Sequence, residues 1–313
     1  MKYLTFLLSL FILSACDYSD LTAPLDSYTV TTSITIEDAW ANTSERASAP
    51  AATRAAGDPL YQIYLFGSNN QAINNNGGYM TKLSTGQTFT NITTPGTYTF
   101  YGITNLVKGE YTSTGTGVTL TSASTFTLGT EAAPRDICLG SQPLTVTTGQ
   151  NAYTTSITAS HIMSRLALTV NNVPADVTSL TITLPSQANV FDFTGTFTYA
   201  KDAANNDVPV SQTLTLTRAA TANQDGTYNW SCQPTIVFPC PTGTTSMPIQ
   251  ITWGPYNGTG AVNGSKVVTT TSTHCCLSTH NLSLTTTWNE SYRTSATITT
   301  TDWSPVEEGT FSW

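Results

Sequence analysis

The chain has 313 residues, of which 39% are apolar and 10% aromatic while only 10% are charged. Eleven Lys and Arg stand against nineteen Asp and Glu, a net charge of −8, and the cations are scattered singly, so the chain cannot neutralise a phosphate backbone and nucleic acid is excluded as a partner. The apolar share is too high for a disordered chain, and threonine at about a fifth of all residues, with Val, Ile, Tyr and Phe throughout, describes a β protein of one large or two ordinary domains.

In chain order, Lys2 and the apolar run Leu4 to Leu13 read as a secretory signal, too short to span a bilayer. Leu13-Ser14-Ala15-Cys16 resembles a bacterial lipobox, which implies cleavage before Cys16 and its acylation, with palmitate as a chain that would hold the protein on a membrane. The alternative is an ordinary signal whose cleavage falls near a cysteine. No later stretch reaches the roughly 18 apolar residues that a transmembrane helix needs.

A polar tether, 17–24, leads to Tyr28, Val30, Thr32, Ile34 and Ile36, which alternate with polar residues and predict a strand with one buried side. Residues 41–57 are a linker of small residues with Pro50 and Gly57, and its cations, Arg46 and Arg54, are each followed by Ala. The run Leu60 to Phe66 predicts a strong strand. Further strands are predicted over 97–103, 117–120, 143–146, 165–170, 179–184, 190–199, 213–216, 248–253 and 294–299, separated by turn clusters such as Asn74 to Gly78, Asn205 to Asp207 and Asn223 to Gly226. No window carries a capped helical period. The pattern predicts an all-β protein: signal 1–15, propeptide 16–54, then two tandem β-sandwich domains over 55–150 and 151–313.

Residues able to do chemistry are few. His274, Cys275, Cys276 and His280 lie close in sequence, but neighbouring side chains of a strand point to opposite faces, so they do not predict a tetrahedral metal site. His161 reads as a partly buried spacer. After Cys16 five cysteines remain (Cys138, Cys232, Cys240, Cys275, Cys276), an odd number; Cys232 and Cys240 could meet only if the chain bends sharply, and small buried hydrophobes are the alternative. Asp176, Asp192, Asp202, Asp207 and Asp225 fall in turns or at strand edges, and Asp302, Glu307 and Glu308 in a polar tail. With no nucleophile elbow, phosphate loop or calcium motif, nothing argues for an enzyme, a cofactor or a metal. Trp230, Trp253, Trp288, Trp303 and Trp313 could stack on glycans or fill the core.

The order of lipobox, alternating strand, arginine-bearing linker and β domains resembles the fimbrillin superfamily of Bacteroidetes, the subunits of type V pili. The resemblance rests on Leu60 to Phe66 after Thr53-Arg54-Ala55, on Asp136 to Gly140 before Pro143 to Val146, and on Ile157, Ile162 and Arg165 to Val170. It rests also on Val237 to Cys240 before Met247 to Ile251, and on Asp302-Trp303. It implies transthyretin-like sandwiches and export as a lipoprotein to the outer membrane and cell surface. A cut after Arg54, with Arg46 second, would release the lipid and the strand of Tyr28, Val30, Thr32, Ile34 and Ile36.

The groove so opened would be filled by a neighbour's C-terminal stretch, with Ile298, Trp303, Val306, Phe311 and Trp313 as candidate pegs, giving a head-to-tail pilus that supports adhesion. From Ala55 the chain keeps eight basic and thirteen acidic residues, a net charge of −5, too little to oppose stacking. An uncleaved anchor subunit and a monomeric glycan-binding lipoprotein are the alternatives.

Overall fold

The computed structural model describes residues 27–36, 61–74, 78–83, 87–107, 109–111, 120–130, 134–256, 262–269, 275–288, 295–301 and 306–312. Cys16, Arg46, Arg54, Trp303, Trp313 and most of the strand predicted over 117–120 lie outside them. The described residues are all-β, and among them no helix is long and apolar enough to cross a membrane.

The first eight strands are β1 (Tyr28–Ile36), β2 (Tyr61–Phe66), β3 (Met80–Leu83), β4 (Gln87–Ile92), β5 (Gly96–Thr104), β6 (Thr125–Thr127), β7 (Cys138–Val146) and β8 (Ala152–His161). Seven of them form a sheet in the order β3-β2-β5-β7-β8-β1-β4. The junction of β7 and β8 is a corner: the two pair only at Cys138↔His161 and Leu139↔Ser160, after which β7 follows β5 and β8 follows β1. A Cβ on Gly140 would sit 2.1 Å from the Thr158 carbonyl oxygen, so the close crossing at this corner requires glycine. Beyond it β8-β1-β4 closes over β3-β2-β5-β7 as a sandwich. Tyr28, Val30, Phe89 and Ile157 from one side pack with Ile63, Leu65, Phe100 and Val146 from the other.

The remaining strands are β9 (Ser164–Val173), β10 (Leu180–Gln187), β11 (Val190–Asp192), β12 (Phe197–Thr198), β13 (Ala200–Lys201), β14 (Asp207–Val208) and β15 (Val210–Thr215). They continue as β16 (Thr217–Arg218), β17 (Tyr228–Val237), β18 (Pro248–Tyr256), β19 (Val262–Thr269), β20 (Asn281–Thr287), β21 (Ser295–Thr301) and β22 (Val306–Ser312). A four-stranded sheet, β15-β10-β18-β19, packs on a six-stranded one, β16-β17-β9-β20-β21-β22. Between them lies a core that includes Leu180, Ile182 and Ile251 from one and Leu166, Leu168 and Leu282 from the other.

A third core joins the two halves of the chain. Strand β2 is buried on both faces: Ile63 and Leu65 serve the first sandwich, while Tyr64 and Phe66 turn to Phe126, Phe191, Phe193 and Phe238. This explains a run apolar on both parities. Phe193 is its centre, with ring centroids 4.9–5.1 Å from Tyr64, Phe66, Tyr101 and Phe126. Strand β6 pairs with β11 there, Phe126 opposite Phe191. Strand β8, which starts just past the boundary expected at 150, belongs to the first sheet.

The continuous strand expected over 190–199 is instead a hairpin, β11 to β12. Asp192 Oδ1 accepts hydrogen bonds from the Thr194 and Thr196 amides (2.8 and 3.1 Å), and Gly195 takes φ +78°, so an Asx turn breaks the run. Asp202 and Asp225 hold turns in the same way.

Candidate functional site

The feature of the fold that bears most on function is the seat of β1. The strand runs parallel to β8, with Thr29 to Ile36 opposite Ala152 to Ala159, and antiparallel to β4, with Val30 opposite Phe89. It is therefore the middle strand of its leaf although it lies at the start of the chain. Its alternation is used as a strand face should be: Tyr28, Val30 and Thr32 are buried, Ile34 and Ile36 partly so, and Thr31 and Thr35 are exposed. On the outer face Thr31 and Thr88 hydroxyls lie 3.3 Å apart and Ser33 Oγ donates to Ser156 Oγ at 3.2 Å.

At the far end Gly102 of β5 makes room for Ile34, since a Cβ there would lie 2.8 Å from Ile34 Cδ1. Removing β1 would strip both flanking edges of backbone partners and uncover Phe89, Phe100 and Ile157. That is a slot of defined length, direction and side-chain pattern, fit for an extended segment. Among the residues expected as pegs, Ile298 lies in β21, opposite Leu284 and Gly309, and Val306 and Phe311 lie in β22. Strand β22 is the last of its sheet and pairs with β21 alone among the described strands.

Three polar groupings lie apart from that seat. At the β7–β8 corner, the Asp136 carboxylate lies 2.8 Å from His161 Nδ1, which is 3.4 Å from Cys138 Sγ. His161, expected as a spacer, is thus engaged with two groups and is only 8% exposed. Burial first, then Asp136, pushes the Cys138 thiol up to about 12, against a smaller downward pull from the Thr104 hydroxyl. One imidazole nitrogen faces both partners, so the group is not a carboxylate–imidazole–thiol relay, which uses the two nitrogens separately.

Glu110 and Arg135 form a second, buried pair, with side chains each 6% exposed; Glu110 also accepts from the Val107 and Gly129 amides at 2.9 and 2.7 Å. The third grouping is Cys240, Cys275 and Cys276, all in the core between the second pair of sheets. The hydrogen bond to Cys275, then burial, raises the Cys240 thiol; the same bond lowers Cys275; burial pushes Cys276 up to about 12. All five described cysteines are free thiols, and Cys232 and Cys240 do not meet. Cys232 lies opposite Leu168, while the Cys240 amide donates to the Cys276 carbonyl at 2.6 Å.

Of the tryptophans, Trp230 and Trp253 are 5% and 8% exposed and Trp288 packs edge-on against Trp253 at 5.3 Å, so these three belong to the core rather than to a stacking platform. Sequence reasoning missed Gly102 and the Asp136–Cys138–His161 group. For the latter the available signal was the spacing of two between Asp136 and Cys138, which puts both on one face of an extended segment.

No family model matches the chain, and no curated protein matches it. Among solved structures it is similar to the fimbrial anchor protein Mfa2 from Porphyromonas gingivalis, at 10% identity over 83% of this chain and 90% of that one, with a TM-score of 0.45. It is also similar to a fimbrial assembly protein from Parabacteroides distasonis, at 10% identity over 90% of this chain and 99% of that one, with a TM-score of 0.49.

Proposed function

We propose that the chain is a structural subunit of a cell-surface pilus of the fimbrillin type, exported as a lipoprotein and completed by exchange of its first strand. The observation that carries this reading is the position of β1. It is the central strand of its leaf, yet it is tied to the rest of the chain only through 37–60, the stretch that holds Arg46 and Arg54. A central strand normally cannot leave without unfolding its sheet; one joined to the later strands through a cuttable linker can be released by a single hydrolysis. After a cut at Arg54 the edges of β8 and β4 stand open, and an open edge is a template for another chain.

The C-terminal β22 of a second subunit is the proposed donor, because it lies last in its sheet and can leave without separating two neighbours. Donation from one copy to the next does not close on itself, so the product is a filament that carries adhesion. Full pairing of β1 on both sides favours one other reading, an anchor subunit that keeps its lipid at Cys16 and its own strand.

Intact mass and N-terminal sequencing of the protein recovered from cells decide between the two. A chain starting at Ala55 or Ala47 in the filament fraction supports the polymerising subunit. A chain starting at acylated Cys16 in every fraction overturns it in favour of the anchor.

A further inference from the structure

The corner where β7 meets β8 brings together three side chains of the kinds that bind metal ions. Asp136 precedes β7 by two residues and shares a face with Cys138, and Cys138 stands directly opposite His161. One oxygen of Asp136, Cys138 Sγ and a ring nitrogen of His161 all lie within 4.8 Å of one another. The imidazole Nδ1 is 3.4 Å from the sulfur and 2.8 Å from the carboxylate. Four-coordinate Zn2+ at about 2.0–2.3 Å from N, O and S ligands sets its ligand atoms roughly 3.3–3.6 Å apart. The sulfur–nitrogen separation already has that value, and the nitrogen–oxygen one would widen by about half an ångström.

Charge and burial agree with this geometry. Cys138 and His161 are 1% and 8% exposed, and their chain neighbours Ile137, Ile162 and Met163 are buried too, while the Asp136 side chain is 27% exposed. A thiolate, a carboxylate and a neutral imidazole together cancel a dication, so the filled site would bury no net charge. Thiolate and imidazole select a borderline-soft ion over Ca2+ or Mg2+, which take oxygen ligands. The exposed side of Asp136 leaves room for ion access and for a water molecule as fourth ligand.

We propose that Asp136, Cys138 and His161 form a Zn2+ site that pins the two-residue pairing at the corner of the first sandwich. On binding, the Cys138 sulfhydryl bond breaks, its proton passes to solvent, and a sulfur–zinc bond forms. The Nδ1–H bond that His161 offers Asp136 also breaks, its proton is exchanged through solvent onto Nε2 so that the imidazole stays neutral, and Nδ1 and the carboxylate each bond the metal, with no change of oxidation state. The proposal is independent of strand exchange, since the corner lies in the part of the chain that processing would retain.

Cobalt titration tests it, on the reduced and chelator-stripped full chain in detergent. Tetrahedral Co2+ bound here gives a thiolate-to-cobalt charge-transfer band and intense visible bands, and added Zn2+ abolishes both. Cys138→Ser is expected to remove the charge-transfer band. Asp136→Asn, at a more exposed position, is expected to keep the fold and that band but to weaken Co2+ affinity and alter the visible bands. Zn2+ is expected to raise the melting temperature of the parent and to raise that of Asp136→Asn less. Absence of any charge-transfer band in the parent overturns the proposal. So does a band that survives Cys138→Ser unchanged, which would assign the ion to Cys240, Cys275 and Cys276.

Discussion

Gly102 gives the sharpest handle on the seat of β1. A Cβ at this position would lie 2.8 Å from Ile34 Cδ1, 3.2 Å from its Cγ1 and 3.3 Å from Ile157 Cγ2. Gly102→Val therefore drives three carbon atoms into space that Ile34 fills, and overpacking of this kind costs about 1–3 kcal/mol. For a chain of this size that lowers the melting temperature by about 2–5 °C. In a chain starting at Ala55, Ile34 is gone. Of those three neighbours only Ile157 Cγ2 then remains, and the valine covers surface that the missing strand leaves bare, worth about 0.8 kcal/mol per methylene buried. Its melting temperature should stay level or rise. The assay is thermal melting by circular dichroism of four proteins, starting at Asp17 or Ala55, each with glycine or valine at 102. The intrinsic strand preference and unfolded-chain entropy of the substitution are common to both lengths and cancel in the cycle. Equal losses in the long and short chains would refute the packing of Gly102 against β1.

Three further outcomes follow from particular contacts. Tyr28 is fully buried, and its hydroxyl has no hydrogen-bond partner among the described residues, so Tyr28→Phe should raise stability by about 1 kcal/mol in urea unfolding; a loss of that size would show the hydroxyl to be bonded. Arg135→Met strands the Glu110 carboxylate without its cation and should cost about 3–5 kcal/mol, part of it restored by adding Glu110→Gln; a loss below about 1 kcal/mol would contradict the buried pair. Asp202, held down mainly by the Asn206 side chain and amide, and Asp225, held down by the Thr227 hydroxyl and amide, both lie below their ordinary 3.8. Their folded values are the lower ones, so their contribution to stability is complete above about pH 3.8 and is lost as the pH falls through the folded values. Carboxyl titration by NMR should give both midpoints below 3.8, and a midpoint at or above it would contradict the turn geometry.

Much of the fold was legible because short-range pattern and long-range burial agree. The Tyr28 to Ile36 alternation announces a strand with one wet face, and β1 has one. The run Leu60 to Phe66 announces a strong strand, and β2 is one; that it lies between two cores is seen only in the fold. What was illegible is pairing between distant residues. Nothing in the local pattern says that Cys138 lies opposite His161, or that β8 follows β1 in parallel rather than opening a second domain. The misread strand over 190–199 failed for a local reason: Asp192 and Gly195 outweigh a run of β-forming residues once an Asx turn can form. For the tryptophans, composition could not tell a surface platform from the packed pair Trp253 and Trp288, because both uses need the same residue.

The central claim is that β1 can be removed and its place taken by another subunit's strand. Amide hydrogen exchange across 152–159 and 87–92 measures this directly, in the chain starting at Asp17, in the chain starting at Ala55, and in the latter with a peptide of residues 295–313. The account predicts strong protection in the first, its loss in the second, and its return with the peptide. Equal protection in the long and short chains, or none regained with the peptide, would contradict it.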